Sequence, residues 1–178
     1  MRKTIYILLF ALISCKENVS GNHIIKSYES ITGNELSELL GIKIKAENSE
    51  KYSGYLSFKF TNGVFIKDGQ FSFISKIHKK YSEDLFENEI KYEGKYLNDS
   101  LDGVIREEFY LNDNVDIYAK YLVLLSFNNG VCKSGQFNGQ IGYRMPKAYI
   151  KTFPVCNFLK VREMAWEQWG RESNFSAD

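Results

Sequence analysis

Apolar positions along this chain fall into distinct patterns, and each predicts a different element. Behind Arg2 and Lys3, the nine residues from Ile5 to Ile13 are all apolar. That run is far short of the roughly 20 apolar residues of a spanning helix and matches the core of an export signal, so residues 1–14 are a processing segment outside the fold. Thr32-Gly33-Asn34-Glu35 has the spacing of a capping box, with Leu36, Leu39 and Leu40 after it and Gly41 as a stop, which predicts one short N-terminal helix. Phe158, Val161, Ala165 and Trp169 recur at helical spacing, with Lys160, Arg162, Glu163 and Glu167 between them. This stripe predicts an amphipathic C-terminal helix over about residues 157–172 that covers the end of a sheet, leaving Met164 and Trp166 partly off the buried side.

Between the helices the period changes to two. Gly69, Gly94 and Gly135 each sit between a ring or lysine two residues before and a ring two residues after, which places all three on one strand face with space for a neighbouring ring at the glycine. Asn62-Gly63, Asp102-Gly103 and Asn129-Gly130 are dipeptides suited to the type I′ turns of β-hairpins. The fold class is therefore mainly β, an antiparallel meander of hairpins with a short helix before it and an amphipathic helix after it, in one domain over residues 25–178.

The middle of the chain also repeats itself. Phe60, Asn62-Gly63-Val64 and Gly69-Gln70-Phe71 recur as Phe127, Asn129-Gly130-Val131 and Gly135-Gln136-Phe137, with an internal gap one residue shorter. Tyr52 to Gly63 and Tyr92 to Gly103 span the same interval of eleven residues. Tyr92-Glu93-Gly94-Lys95-Tyr96 with Gly103, and more loosely Tyr52-Ser53-Gly54-Tyr55-Leu56 with Gly63, resemble the MORN-type repeats over roughly residues 48–145. Lys67-Asp68-Gly69-Gln70-Phe71 and Lys133-Ser134-Gly135-Gln136-Phe137 keep the Gly-x-Phe and replace the leading tyrosine by lysine. The spacing is irregular, and residues 72–90 read as an insertion. The resemblance implies stacked hairpins of a kind that occurs in bacterial lipoproteins and in antitoxin-like and immunity-like proteins, with no implied catalysis.

A second resemblance sits at the N-terminus. Leu12, Ser14 and Cys15 match the cleavage box of bacterial lipoprotein signals, which implies that Cys15 becomes the acylated first residue of the mature chain. The competing reading is an ordinary secretory signal cut near Ala11 or Ser14. Residues 15–24 are polar apart from Val19 and isoleucine 24, and read as an acylated cysteine followed by a tether. The expected location is the cell envelope, lipid-anchored, because two or three acyl chains anchor a protein durably; Lys16-Glu17 directly after the cysteine resembles signals that send lipoproteins to the outer face of the outer membrane, which implies the outer membrane and its surface.

Composition narrows the partners. Aromatic residues make up 15% of the chain, with only 2 prolines, a balance that favours strands. Cleavage removes Arg2 and Lys3, leaving 21 basic against 22 acidic side chains. A near-neutral surface of this kind argues against nucleic acid, which requires clustered cations, and Lys79-Lys80 reads as a solvated turn. Cys132 and Cys156 remain after Cys15 is assigned to lipid; they are either bridged, as an oxidising compartment permits, or buried free thiols.

Chemistry is sparse. His23 and His78 are the only histidines, and neither stands at metal-ligand spacing from a cysteine or beside a nucleophile motif, so no cofactor or metal is expected. Glu107-Glu108 and Asp113 with Asp116 are paired carboxylates of the sort a glycosidase uses, read here as solvated surface; Asn112-Asp113-Asn114 reads as a turn and lacks the glycine and glutamate of a calcium loop. Trp166 and Trp169, with Tyr92 and Tyr96, are the candidate binding surface, the alternative for the indoles being to seal a core. The functional expectation is a non-catalytic, membrane-anchored lipoprotein that binds another protein, in its most concrete form an immunity-type protein against a secreted toxin. A structural or glycan-contacting envelope lipoprotein is the alternative, and an envelope hydrolase the next.

Overall fold

The computed structural model describes residues 17–20, 23–44, 50–81, 84–113, 118–141 and 149–174. Residues 1–14, read above as a signal, Cys15, Asn114 and Asp116 lie outside them, as do the side chains of His78, Lys79, Lys80, Asp113 and Trp169. Within the described residues the chain is one antiparallel sheet whose nine principal strands lie side by side in chain order. These are β1 (Glu17–Ser20), β2 (His23–Thr32), β3 (Lys51–Thr61), β4 (Val64–Tyr81), β5 (Asp84–Leu97), β7 (Gly103–Asp113), β8 (Tyr118–Asn128), β9 (Val131–Ile141) and β10 (Tyr149–Phe153), while the two-residue β6 (Ser100–Leu101) pairs with β5. Two helices complete the fold, α1 (Gly33–Leu40) between β2 and β3, and α2 (Phe158–Asn174) after β10.

The sheet is one-sided. Register aligns Phe73, Tyr92, Glu107, Val123 and Phe137 across five strands, and all five are buried. The two helices pack on this face, α1 against β2 and β3 and α2 against β8, β9 and β10. The opposite face carries the alternate residues, with ion pairs Lys91–Glu93, Arg106–Glu93 and Lys120–Glu108 along it. This is the inside-out alternation of an antiparallel sheet with one face solvated.

Neighbouring residues cap both ends of α1. The Thr32 backbone N–H donates to Glu35 Oε2 at 2.6 Å and the Glu35 N–H donates to Thr32 Oγ1 at 3.2 Å, the reciprocal capping box. Gly41 takes the left-handed conformation at φ 59° and closes the helix. Two of the helix's last carbonyls, on Leu39 and Leu40, accept from Lys67 Nζ and the Tyr96 hydroxyl of the sheet, so α1 is pinned by groups that complement its negative end. For α2, Asn157 Oδ1 accepts from the Lys160 N–H at 3.1 Å, and Phe158, Val161 and Ala165 are buried.

The duplicated segments form equivalent hairpins. Asn62-Gly63 and Asn129-Gly130 both have positive φ at each central residue and join β3 to β4 and β8 to β9. The unequal gap that follows is absorbed in the sheet: β4 carries two extra residues opposite Ser57, and β9 carries one, Lys133. Phe71 and Phe137 therefore return to the same relative register, opposite Leu56 and Val123.

Three expectations need correction. The turn between β5 and β7 is Asn98-Asp99, with φ of 49° and 63°, whereas Asp102-Gly103 lies at an irregularity where β6 gives way to β7. The stretch read as an insertion contributes to β4 and β5, which pair continuously from Gly69 opposite Tyr96 to Tyr81 opposite Asp84. The polar stretch after Cys15 is not a free tether, because Glu17 to Ser20 pair with Lys26 to His23. Gly69 has φ +101° and faces the Ser57 Cβ, so it serves the bulge and makes no room for a ring.

Candidate functional site

In Ile105-Arg106-Glu107-Glu108-Phe109 the strand period places Ile105, Glu107 and Phe109 on the inner face. Glu107 is 0% exposed, in contrast to the solvated surface expected for it, while Glu108 points outward to Lys120 at 2.8 Å. Glu107 Oε1 lies 3.3 Å from Arg162 Nη1 of α2, and its Oε2 accepts from the Tyr92 hydroxyl at 2.9 Å. Arg162 Nη1 also donates to the Tyr121 hydroxyl at 2.7 Å, and the guanidinium sits 5.7 Å from the Tyr121 ring centre. Beside this group, the Tyr52 hydroxyl donates to Glu50 Oε2 at 2.7 Å.

Electrostatics follow from burial. Burial raises the Glu107 carboxyl above its ordinary value, although Arg162 and the tyrosine hydroxyls pull the other way. For Arg162 burial opposes the charge, and Glu107 with Tyr121 more than compensates, so its affinity for the proton rises. Tyr52, Tyr92 and Tyr121 are all raised, first by burial and then by neighbouring groups, the acids among them. These hydroxyls stay protonated and act as hydrogen-bond donors. The cluster ties α2 to the middle of the sheet; the charges are paired and the Tyr92 and Tyr121 hydroxyls bond to them, while Glu107 Oε1 and the Arg162 Nε and Nη2 have no hydrogen-bond partner, which adds to the cost of burying the pair.

Sequence reasoning missed Glu107 and Arg162. Their signal was present, since Glu107 is in phase with Ile105 and Phe109, and Arg162 adjoins Val161 on the apolar stripe of α2.

The candidate binding residues separate. Tyr92 and Tyr96 are 1% and 4% exposed: the Tyr92 ring packs edge-on to Phe158 at 5.7 Å and the Tyr96 ring meets Phe71 at 5.6 Å, so both serve the core and neither offers a surface. Trp166 is 38% exposed and leans on Phe137 at 6.1 Å, so its ring is partly packed on the core and partly at the surface. Cys132 and Cys156 are bridged, with Cα atoms 5.8 Å apart, and the bond fastens β9 to the segment that leads into α2. His23 lies 3.9 Å from Asp68. Among the described residues no group of three or more His, Cys, Asp or Glu could hold a metal ion, and no helix is long and apolar enough to cross a membrane.

Two depressions stand out among the described residues. On the inner face a groove of about 600 Å³ lies between α1 and the strands β2, β3 and β4, walled by Ile24, Tyr28, Ile31, Leu39, Phe58 and Phe65 with Lys26, Lys67, Glu35 and Glu38 around them. On the outer face a hollow of about 320 Å³ is lined by Tyr55, Gln70, Glu93, Lys95 and Arg106 among others. Exposed aliphatic side chains, Val64, Leu97, Val104 and Val131, stand at the hairpin-turn end of the sheet, on strands β4, β5, β7 and β9. Comparison with protein-family models, with curated proteins and with solved structures finds no match.

Proposed function

We propose that this protein is a lipid-anchored envelope protein that acts by presenting the outer face of its sheet to a protein partner. The observation that carries the reading is the row of exposed Val64, Leu97, Val104 and Val131 at one end of a face otherwise laced with paired charges of both signs. Apolar anchors among charged and polar neighbours are the makings of a protein interface. Alternating charge suits a protein better than a polyanion, which calls for one sign.

The rest of the molecule supports a rigid support for that surface. Apart from the groove beside α1, the inner face packs its own core and helices, and its buried Glu107–Arg162 pair is engaged in holding α2. The MORN-like reading of the hairpins is supported at Gly94, where a Cβ would come within 2.8 Å of the Phe71 ring, so that glycine admits a neighbouring ring. The anchor is Cys15, inferred from Leu12, Ser14 and Cys15; with Lys16 alone between it and β1, a lipid there sets the N-terminal edge of the sheet against the bilayer. Such a placement fits a partner that arrives from outside, and an immunity-type role against a secreted toxin is its most concrete form.

A second reading has its own observation. The outer hollow combines the Tyr55 ring with Gln70, Glu93, Lys95 and Arg106, groups able to stack on and hydrogen-bond an envelope glycan. Co-purification from envelope extract with the tagged full-length protein tests both. Under the first reading a protein partner is captured and lost in Val104→Asp with Arg106→Glu, while Tyr55→Ala leaves capture intact. Capture of a glycan that Tyr55→Ala abolishes favours the second, and a protein partner indifferent to the outer-face changes overturns the first.

A further inference from the structure

The inner groove and the start of the chain are neighbours. Strand β1 opens at Glu17, whose Cα partner is Lys26, and Lys26 is a wall of the groove between α1 and the β2–β4 strands. Cys15 lies two residues before Glu17. Two peptide units span at most about 7 Å, so any group bonded to its sulfur starts close to that wall.

The groove has the chemistry of an acyl site. Ile24, Tyr28, Ile31, Leu39 and Phe58 wall it, and Phe65 on its lining is 58% exposed, its ring tilted against Phe60 at 4.7 Å. Two of its charged groups are engaged. Lys67 Nζ donates to the Leu39 carbonyl and lies 5.1 Å from the Tyr96 ring centre, and Glu35 is held by the Thr32 cap. A peptide laid in the groove would bring backbone groups that need partners, whereas a hydrocarbon chain brings none.

We propose that this groove receives one acyl chain of the lipid carried on Cys15 of the same molecule. The inference rests on the lipoprotein reading above. A ligand tied this closely binds at a high effective concentration, so the groove competes with the bilayer for one chain and shelters it whenever the protein is away from a membrane. The anchor then has two states, one with all chains in the lipid and one with a chain folded back against Tyr28 and Phe65.

The test uses the full-length protein isolated from cells grown on a fatty acid bearing a photoactivatable diazirine, transferred from detergent into an amphipathic polymer and irradiated. Intact mass reports whether Cys15 is acylated, and peptide mapping reports where the chain reacts. Acylation with cross-links to the peptides that contain Tyr28, Leu39, Phe58 or Phe65, lost in Phe65→Glu, supports the proposal. Acylation with cross-links only to polymer, or to protein outside these peptides, overturns it and leaves the lipoprotein reading standing. An intact mass without the lipid overturns both.

Discussion

Arg162 of α2 stands 3.3 Å from Glu107 of β7, and this pair joins the two halves of the core, one from the last helix and one from the centre of the sheet. Both groups have left water, so each depends on the other. Removing either alone, as in Glu107→Leu or Arg162→Met, is expected to cost about 3–5 kcal/mol, since a buried charge is stranded. Replacing both together is expected to cost far less than the sum. Urea unfolding of the two single variants and the double variant measures the coupling, and additive losses would show that the pair is not coupled.

The same carboxyl sets a pH dependence. Burial raises Glu107 above its ordinary value of 4.5, so the folded state holds this proton more tightly than the unfolded chain does. Its contribution is fully present below about pH 4.5 and is lost as pH rises through the higher folded value. Glu107→Gln, which cannot titrate, is expected to remove that slope, as read by melting temperature against pH in wild type and variant.

Gly135 and Gly63 separate crowding from turn strain. A Cβ at Gly135 would lie 2.3 Å from Val161 Cγ2 and 2.6 Å from the Val155 carbonyl oxygen, so Gly135→Ala must push α2 off β9. A cost of about 2–3 kcal/mol is expected from such overpacking. At Gly63 nothing lies within 4 Å, but φ is +78°, and Gly63→Ala is expected to cost about 1–2 kcal/mol from backbone strain alone. Chemical denaturation of both variants ranks them, and the reverse order would mean that α2 does not sit on Gly135.

The Cys132–Cys156 bond closes a loop with a sequence separation of 24 and fastens the approach to α2. Its reduction is expected to lower stability by about 3 kcal/mol through the freedom regained by the unfolded chain. Limited proteolysis with and without reductant should show cleavage near α2 only in the reduced protein. Equal resistance in both states would contradict the fastening role.

Much of this fold was legible wherever a local rule decides the backbone. Thr32, Glu35 and Gly41 form a cap and a stop from neighbouring residues alone, and Asn62-Gly63 and Asn129-Gly130 reach positive φ with little strain. The turn at Asn98-Asp99 was missed because two non-glycine residues hold positive φ there, supported by distant partners. The Lys67 N–H donates to Asp99 Oδ1 at 2.6 Å and the Asn98 N–H to Asp68 Oδ1 at 3.1 Å, and neither contact has a local signature. Tyr92 and Tyr96 looked like binding residues because rings serve both cores and surfaces; only their strand phase, shared with Glu107 through the cross-strand register, places them inside. The outer aliphatic row was invisible for a related reason, since its members come from four strands that only the sheet brings to one end.

The role of the outer face is tested most directly in living cells, by placing a photo-crosslinking amino acid at position 104 of the full-length protein and, separately, at position 65 in the inner groove. A discrete protein adduct from position 104 that disappears with Arg106→Glu is the expected result. An adduct with a protein partner from position 65 and none from position 104 would contradict it, because the partner would then meet the groove and not the outer sheet.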